Sequence, residues 1–108
     1  MRIALTTAFL CLVASPAFAQ EIAQSEIHSQ AVRGNLSVLI GLGSNVVVST
    51  GPDATLLVDD EYAVLNDKVR AALAALKAPP VKGVINTHWH EDHTGGNESF
   101  GLYREYQH

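Results

Sequence analysis

The sequence predicts an α+β fold in which the elements follow the order β-β-β-α-β and lead into a histidine-rich loop. Three short apolar runs separated by turn-forming residues are typical of antiparallel strands joined by hairpins. Apolar residues then recur at the spacing of an amphipathic helix. A fourth apolar run follows and ends directly at a cluster of histidines. At 108 residues the chain forms one small domain at most.

The three predicted strands span residues 36–40, 45–49 and 55–58, and the turns between them are rich in glycine, serine and proline. Nearly every position in these runs is apolar, whereas a strand with one solvated face alternates between apolar and polar residues. This pattern predicts a sheet that is covered on both faces.

The predicted helix is followed by a strand that carries the chain towards the histidines. Pro79 and Pro80 end the helix, because proline does not continue a helical hydrogen-bond ladder. Residues 81–87 then form the last strand. The core-facing side of the helix consists of Leu65, Val69, Ala72, Leu73 and Leu76.

The first 19 residues have the pattern of a secretory signal peptide. A positive start at Arg2 precedes the uncharged apolar run 3–14, and small residues stand just before a cleavage site between Ala19 and Gln20. The apolar run is shorter than the roughly 20 residues that cross a bilayer, so we expect no stable membrane insertion after cleavage. The predicted location is periplasmic or secreted.

The remaining chain is predicted to divide into a polar leader and a partial domain. The leader spans residues 20–34, and the domain spans residues 35–108 and is truncated at its carboxyl end. The net charge is −4 and the sequence contains no basic patch, which argues against a nucleic-acid partner. We expect a small-molecule substrate, and the composition predicts no oligomeric state.

The candidate metal ligands are His88, His90, Asp92 and His93. These residues place three of the five histidines and a carboxylate within six positions. Imidazole nitrogen and carboxylate oxygen are the ligands of catalytic zinc sites that keep an open position. On an extended strand end, residues two apart project to the same side, so His88 and His90 are predicted to bind one ion. Asp92 and His93 follow at a turn and are predicted to face a second ion.

Residues between and after these ligands are predicted to shape the loop. Gly95 and Gly96 allow a tight backbone turn beside the metals, because no Cβ stands in the way. Trp89 and Glu91 alternate to the opposite side of the chain and are predicted to be outward or packing residues.

The segment HWHEDH is identified as the H-x-H-x-D-H signature of the metallo-β-lactamase superfamily, and the resemblance covers about residues 35–101. It implies the amino-terminal part of an αββα sandwich with two Zn²⁺ ions in the full-length protein. His88 and His90 correspond to ligands of zinc one, and Asp92 and His93 to ligands of zinc two. Asp59 corresponds to an aspartate that steadies the metal loop from outside the coordination sphere.

The function implied is that of a zinc-dependent hydrolase with a metal-activated hydroxide, which Asp92 orients as the catalytic residue. The substrate is expected to be an ester, thioester, amide or β-lactam. Diiron redox relatives carry a glutamate where His90 stands, so this histidine favours hydrolysis. A mononuclear iron sulfur dioxygenase stays open as an alternative.

The end of the chain departs from the family pattern. The further metal ligands of such proteins lie well downstream, whereas residues 102–108 match no family context. The second alternative is therefore that this chain is an inactive metal-binding fragment of an active parent.

Overall fold

The structure, a computed structural model, describes residues 16–100 as a mixed five-stranded sheet with helices beside it. This confirms the predicted α+β fold class and its β-β-β-α-β order, to which the structure adds one strand at the start. In chain order the elements are α1 (Pro16–Gln24), β1 (His28–Arg33), β2 (Leu36–Ile40), β3 (Asn45–Thr50), β4 (Thr55–Val58), a 3-10 turn (Ala63–Leu65), α2 (Asn66–Ala75), β5 (Val81–Ile85) and α3 (Glu91–Thr94).

The strands lie in the sheet in the order in which they occur along the chain. Successive pairs from β1 to β4 are antiparallel, whereas β4 and β5 are parallel and are connected through α2. A parallel pair requires such a crossover connection, which the helix supplies. The carboxyl ends of β4 and β5 consequently lie at the same edge of the sheet.

Strand β1 was not expected, because it lies within the predicted polar leader. All six of its residues are exposed, so it carries no apolar alternation that would mark it as a strand. It joins the sheet through backbone pairing with β2, in a register that places His28 opposite Ile40. The turn between the two strands contains Gly34, which has a φ of 55°. Residues 28–33 of the predicted polar leader thus form an edge strand of the sheet.

Helix α1 packs on the domain through its carboxyl-terminal part. Ile22 is buried, and the Lys68 ammonium donates hydrogen bonds to the carbonyls of Ala23 and Ser25 at 3.0 and 2.5 Å. The predicted cleavage site after Ala19 lies within this helix. Most of the predicted signal peptide, residues 1–15, lies outside the described residues. In the described part of the chain, no helix is long and apolar enough to cross a membrane.

One face of the sheet packs against α2 and forms the core. Because the helix presents one side at a spacing of about four residues, Val69 and Leu73 both reach the sheet. The buried cluster consists of Leu39, Val46, Val48, Leu57, Val69, Leu73 and Phe100.

The other face of the sheet is open among residues 16–100, which differs from the expectation that both faces are covered. Cross-strand partners on this face include Val38, Val47, Val58 and Ile85. Leu56 is 41% exposed and Ile85 is 54% exposed. Within residues 16–100 the sheet is therefore covered on one face only, by α2, although its strands are apolar on both faces.

Candidate metal centre

The candidate metal centre is built where β4 and β5 end side by side. Asp59 follows β4 directly, and its backbone N–H donates to the carbonyl of Ile85, the last residue of β5, at 2.9 Å. Asp59 has a φ of 62°, a left-handed conformation that turns the chain sharply away from the sheet. The metal loop, residues 86–96, begins at the same edge.

The Asp59 carboxylate is the hub of this edge. Its Oδ1 atom accepts the backbone N–H of Thr87 at 2.8 Å, and its Oδ2 atom accepts the Thr87 hydroxyl at 2.8 Å. Oδ2 also lies 2.7 Å from Nδ1 of His93. Burial raises the pKa of Asp59, but the hydrogen bonds from Thr87 and His93 outweigh this effect and hold the pKa below its usual value. The residue is therefore an ionised acceptor.

These contacts determine which imidazole nitrogens are free to bind a metal. The Thr87 hydroxyl gives its single proton to Asp59, so its oxygen accepts from Nδ1–H of His88, which lies 2.9 Å away. His93 likewise directs Nδ1–H to Asp59. In the neutral state of each ring, the proton is therefore on Nδ1 and the Nε2 atom is unprotonated, which is the form of histidine that coordinates metals.

Asp92 and His93 lie on the one-turn helix α3, for which His90 is the N-terminal flanking residue. Nε2 of His93 is 3.4 Å from Oδ2 of Asp92, so the two proposed donors point to the same space. The hydrogen bond to Asp59 raises the pKa of His93, and the negative charge of Asp92 adds to this shift against the opposing effect of burial. A metal ion at this nitrogen would therefore compete with a proton.

His88 and His90 are brought together, although not on a strand end. β5 ends at Ile85, so both histidines lie in the bend that follows it. Their ring centroids are 4.7 Å apart, and the centroids of His88 and His93 are 3.9 Å apart. All four predicted ligands consequently occupy one small region, with His88 and His90 exposed to solvent and Asp92 and His93 half-buried.

The donor set fits zinc in chemistry. Three imidazoles and a carboxylate are typical ligands of catalytic zinc, and Asp59 supplies the outer hydrogen bonds that such ligands need. Among residues 16–100, however, no three His, Cys, Asp or Glu side chains already converge as a complete coordination group. Trp89 and Glu91 are exposed, as expected, but no strand alternation separates them from His88 and His90, which are exposed as well.

Asp60 and the glycine pair pack tightly behind the metal loop. The Gly96 N–H donates to Oδ1 of Asp60 at 2.9 Å, and the Asp60 N–H donates to the carbonyl of His93 at 3.1 Å. A Cβ on Gly96 would lie 2.7 Å from the Asp60 carbonyl, and one on Gly95 would lie 2.3 Å from the backbone nitrogen of Ala63. Burial raises the pKa of Asp60 to about 6. The two glycines are therefore required by close packing.

Several residues that hold the loop were not assigned a role from the sequence. Thr87 stands beside the histidines, but its bridge between Asp59 and His88 depends on the pairing of two distant strands. Asn86 donates to the His93 carbonyl at 2.8 Å and accepts from Asn97 at 2.7 Å. The sequence signal that could have indicated this support is the run of acidic residues at 59–61 directly after a buried strand, because carboxylates in such a position need hydrogen-bond donors.

The comparisons with known proteins agree with this geometry. The sequence profile of the family described as "Metallo-beta-lactamase superfamily" matches residues 31–104, which is more than half of the chain. No curated protein matches the chain.

Solved structures of metallo-β-lactamases are similar to this chain. The subclass B3 metallo-β-lactamase BJP-1 of Bradyrhizobium japonicum aligns with a TM-score of 0.67 and 22% identity, over 78% of this chain and 33% of that protein. SMB-1, a metallo-β-lactamase solved with 2-mercaptoethanesulfonate, aligns with a TM-score of 0.64 and 28% identity, over 74% of this chain and 32% of that protein. The class B3 di-zinc metallo-β-lactamase LRA-12 from an Alaskan soil metagenome aligns with a TM-score of 0.67 and 16% identity, over 83% of this chain and 33% of that protein. The chain therefore spans about a third of the length of each.

Proposed function

This chain belongs to the metallo-β-lactamase superfamily, and we propose that it is the amino-terminal part of a zinc-dependent hydrolase. His88 and His90 are proposed as ligands of a first ion, and Asp92 and His93 as ligands of a second. The remaining ligands are proposed to lie in the part of the fold that this chain does not cover, since the aligned residues make up about a third of the length of the solved relatives.

The observation that carries the proposal is the hydrogen-bond hub at Asp59. A buried carboxylate accepts Nδ1–H of His93 directly and acts on Nδ1–H of His88 through Thr87. Metal-binding histidines typically donate their second nitrogen to such a partner, which fixes the tautomer and the orientation of the ring. Two rings fixed in this way beside a carboxylate are prepared to bind a cation.

The chain contributes three operations to catalysis. Asp59 keeps the proton of each neutral ring on Nδ1, directly in His93 and through Thr87 in His88, so that Nε2 faces the ion, and Asp92 directs a carboxylate oxygen into the same space, where it orients the attacking water. The exposed position of His88 and His90 leaves both rings accessible to an ion and to the further ligands that are proposed for the rest of the protein. A zinc ion, when bound, acidifies water and polarises the oxygen of the scissile bond.

The proposed substrates are esters, thioesters, amides or β-lactams, and the proposed location is the periplasm or the exterior of the cell. The relation to solved metallo-β-lactamases supports a lactam, whereas the superfamily signature alone is compatible with the other carbonyl substrates. The mononuclear iron sulfur dioxygenase is the second candidate, because the same donors accept iron. The metal content of the purified protein distinguishes these candidates.

The test uses the whole protein and two histidine substitutions. We expect His88→Ala and His90→Ala each to remove most of the bound zinc and nearly all hydrolysis of a chromogenic lactam or a thioester. His28→Ala is the matched control, because His28 is exposed on β1 and lies outside the metal loop. Unchanged zinc content and turnover in both metal-loop variants would overturn the assignment, and iron with dioxygenase activity would favour the second candidate.

A further inference from the structure

The turn between β2 and β3, residues 41–44, lies against the metal loop and contacts it at Asp92. The Ser44 hydroxyl donates to the backbone carbonyl of Asp92, which is 48 positions away in the sequence. Gly43 lies at the same contact, since a Cβ there would be 3.1 Å from Cβ of Asp92 and 2.3 Å from the ring of Tyr62. A distant part of the sheet thus reaches a proposed zinc ligand.

The hydrogen bond from Ser44 replaces one that helix α3 does not make for itself. In a continuing α-helix, the carbonyl of residue 92 accepts from the N–H of residue 96. Here the Gly96 N–H donates to Asp60 instead, at 2.9 Å. A one-turn helix has little stability of its own, because nucleation is unfavourable. The orientation of Asp92 therefore depends on partners outside the helix.

Glu61 holds the turn in position for this contact. Its side chain is fully buried, and its Oε1 atom accepts the backbone N–H of Ser44 at 3.1 Å. Its Oε2 atom accepts the N–H of Tyr62 at 3.2 Å. A Cβ on Gly41 would lie 2.1 Å from Oε1, so this carboxylate and the turn fit closely. Glu61 also has a φ of 67°, which directs the chain back towards the loop.

We propose that Ser44 and Glu61 act as positioning residues for the second metal site, with Glu61 fixing the turn and Ser44 fixing the Asp92 backbone. Neither residue is a metal ligand in this arrangement. We call the three residues Ser44, Glu61 and Asp92 the turn clamp. The proposal rests on the proposed role of Asp92 and adds that the affinity of the second ion is set partly by a hairpin turn distant in sequence.

The experiment measures stepwise Co²⁺ binding to the whole protein by its visible absorption, which reports each site separately and requires no turnover. Outer hydrogen-bond partners of metal ligands typically change metal affinity by a factor of ten or more, so we expect Ser44→Ala to weaken the second ion about tenfold. The absorption bands of the second site are expected to shift, while the first site stays unchanged. Ser44→Thr retains the hydroxyl and is expected to restore both readouts.

Ser49→Ala is the matched control on the same hairpin. Ser49 accepts a hydrogen bond from Asn35 at 3.2 Å, so this substitution also removes a hydroxyl contact, but one that does not involve the metal loop. The turn clamp is overturned if Ser44→Ala binds both ions as the parent does, or if Ser49→Ala weakens the second ion equally. Asp92→Ala tests the ligand assignment separately from the turn clamp. Retention of the second ion in that variant would overturn the assignment of Asp92 as a ligand.

Discussion

The substitution Asp59→Asn tests whether one carboxylate sets the protonation of two imidazoles. The asparagine oxygen can still accept the backbone N–H of Thr87 in place of Oδ1. Its NH₂ group, however, replaces the oxygen that now accepts both the Thr87 hydroxyl and Nδ1–H of His93. That NH₂ group has to donate to both partners. His93 then accepts at Nδ1, and the freed Thr87 proton turns to Nδ1 of His88, which places a proton on Nε2 of each ring.

The expected size of the effect follows from these two reversed contacts. To bind a metal through Nε2, each ring has to give up one hydrogen bond, which is worth about 1 kcal/mol. This corresponds to a loss of affinity of about fivefold for each ion and about thirtyfold for the product of the two affinities. The fivefold loss for each ion lies just below the range of roughly tenfold to a hundredfold that is typical of outer hydrogen-bond partners of metal ligands.

Competition with a chromogenic zinc chelator measures both affinities in the whole protein. Asp53→Asn is the control, because Asp53 is an exposed residue in the turn between β3 and β4 and the change in charge is the same. The reasoning is refuted if Asp59→Asn binds both ions as tightly as the Asp53→Asn control does.

Three further predictions concern packing, pH and processing. Gly96→Ala is expected to loosen the metal loop and lower zinc content, since its Cβ would lie 2.7 Å from the Asp60 carbonyl; metal analysis against the parent checks this. Zinc affinity is expected to fall as the pH decreases through the raised pKa of His93, because Asp59 raises this pKa above 6.5 and the protonated ring cannot bind metal. Zinc titrations at several pH values measure the affinity, and a pH-independent affinity would contradict the prediction. Mass spectrometry of exported material is expected to show a chain that begins at Gln20, whereas a membrane-bound form that begins at Met1 would contradict the signal peptide.

Much of the sheet could be predicted because its strands are apolar over short, well-bounded runs. The predicted and observed bounds of β2 and β4 agree, and β3 extends one residue further, to Thr50. The helix was predicted from its spacing, with Val69 and Leu73 in the core as expected. These elements have local patterns that burial on one side imposes on the sequence.

The features that could not be predicted depend on partners distant in the chain. Strand β1 pairs through its backbone and exposes every side chain, so its residue types carry no strand pattern. The expectation of two covered faces is not met within residues 16–100, in which the face that carries Leu56 and Ile85 is open.

The candidate ligands could be predicted because they are adjacent in sequence and have the residue types that zinc prefers. The hydrogen-bond partners that hold these ligands in place could not be predicted, because they lie on other elements of the fold. Asp59 meets His93 only because β4 and β5 are parallel neighbours, and the resemblance to a known family was needed to assign it a role. Ser44 lies even further from Asp92, and a serine in a hairpin turn is ordinarily explained by the turn alone.

The central claim is tested most directly by anomalous diffraction at the zinc edge on crystals of the whole protein. The account predicts zinc at about 2.0–2.1 Å from Nε2 of His88 and an ion at a similar distance from Nε2 of His93, with Asp59 still hydrogen-bonded to Nδ1 of His93. Zinc bound elsewhere, or coordinated by Nδ1 of His93 after displacement of Asp59, would contradict it.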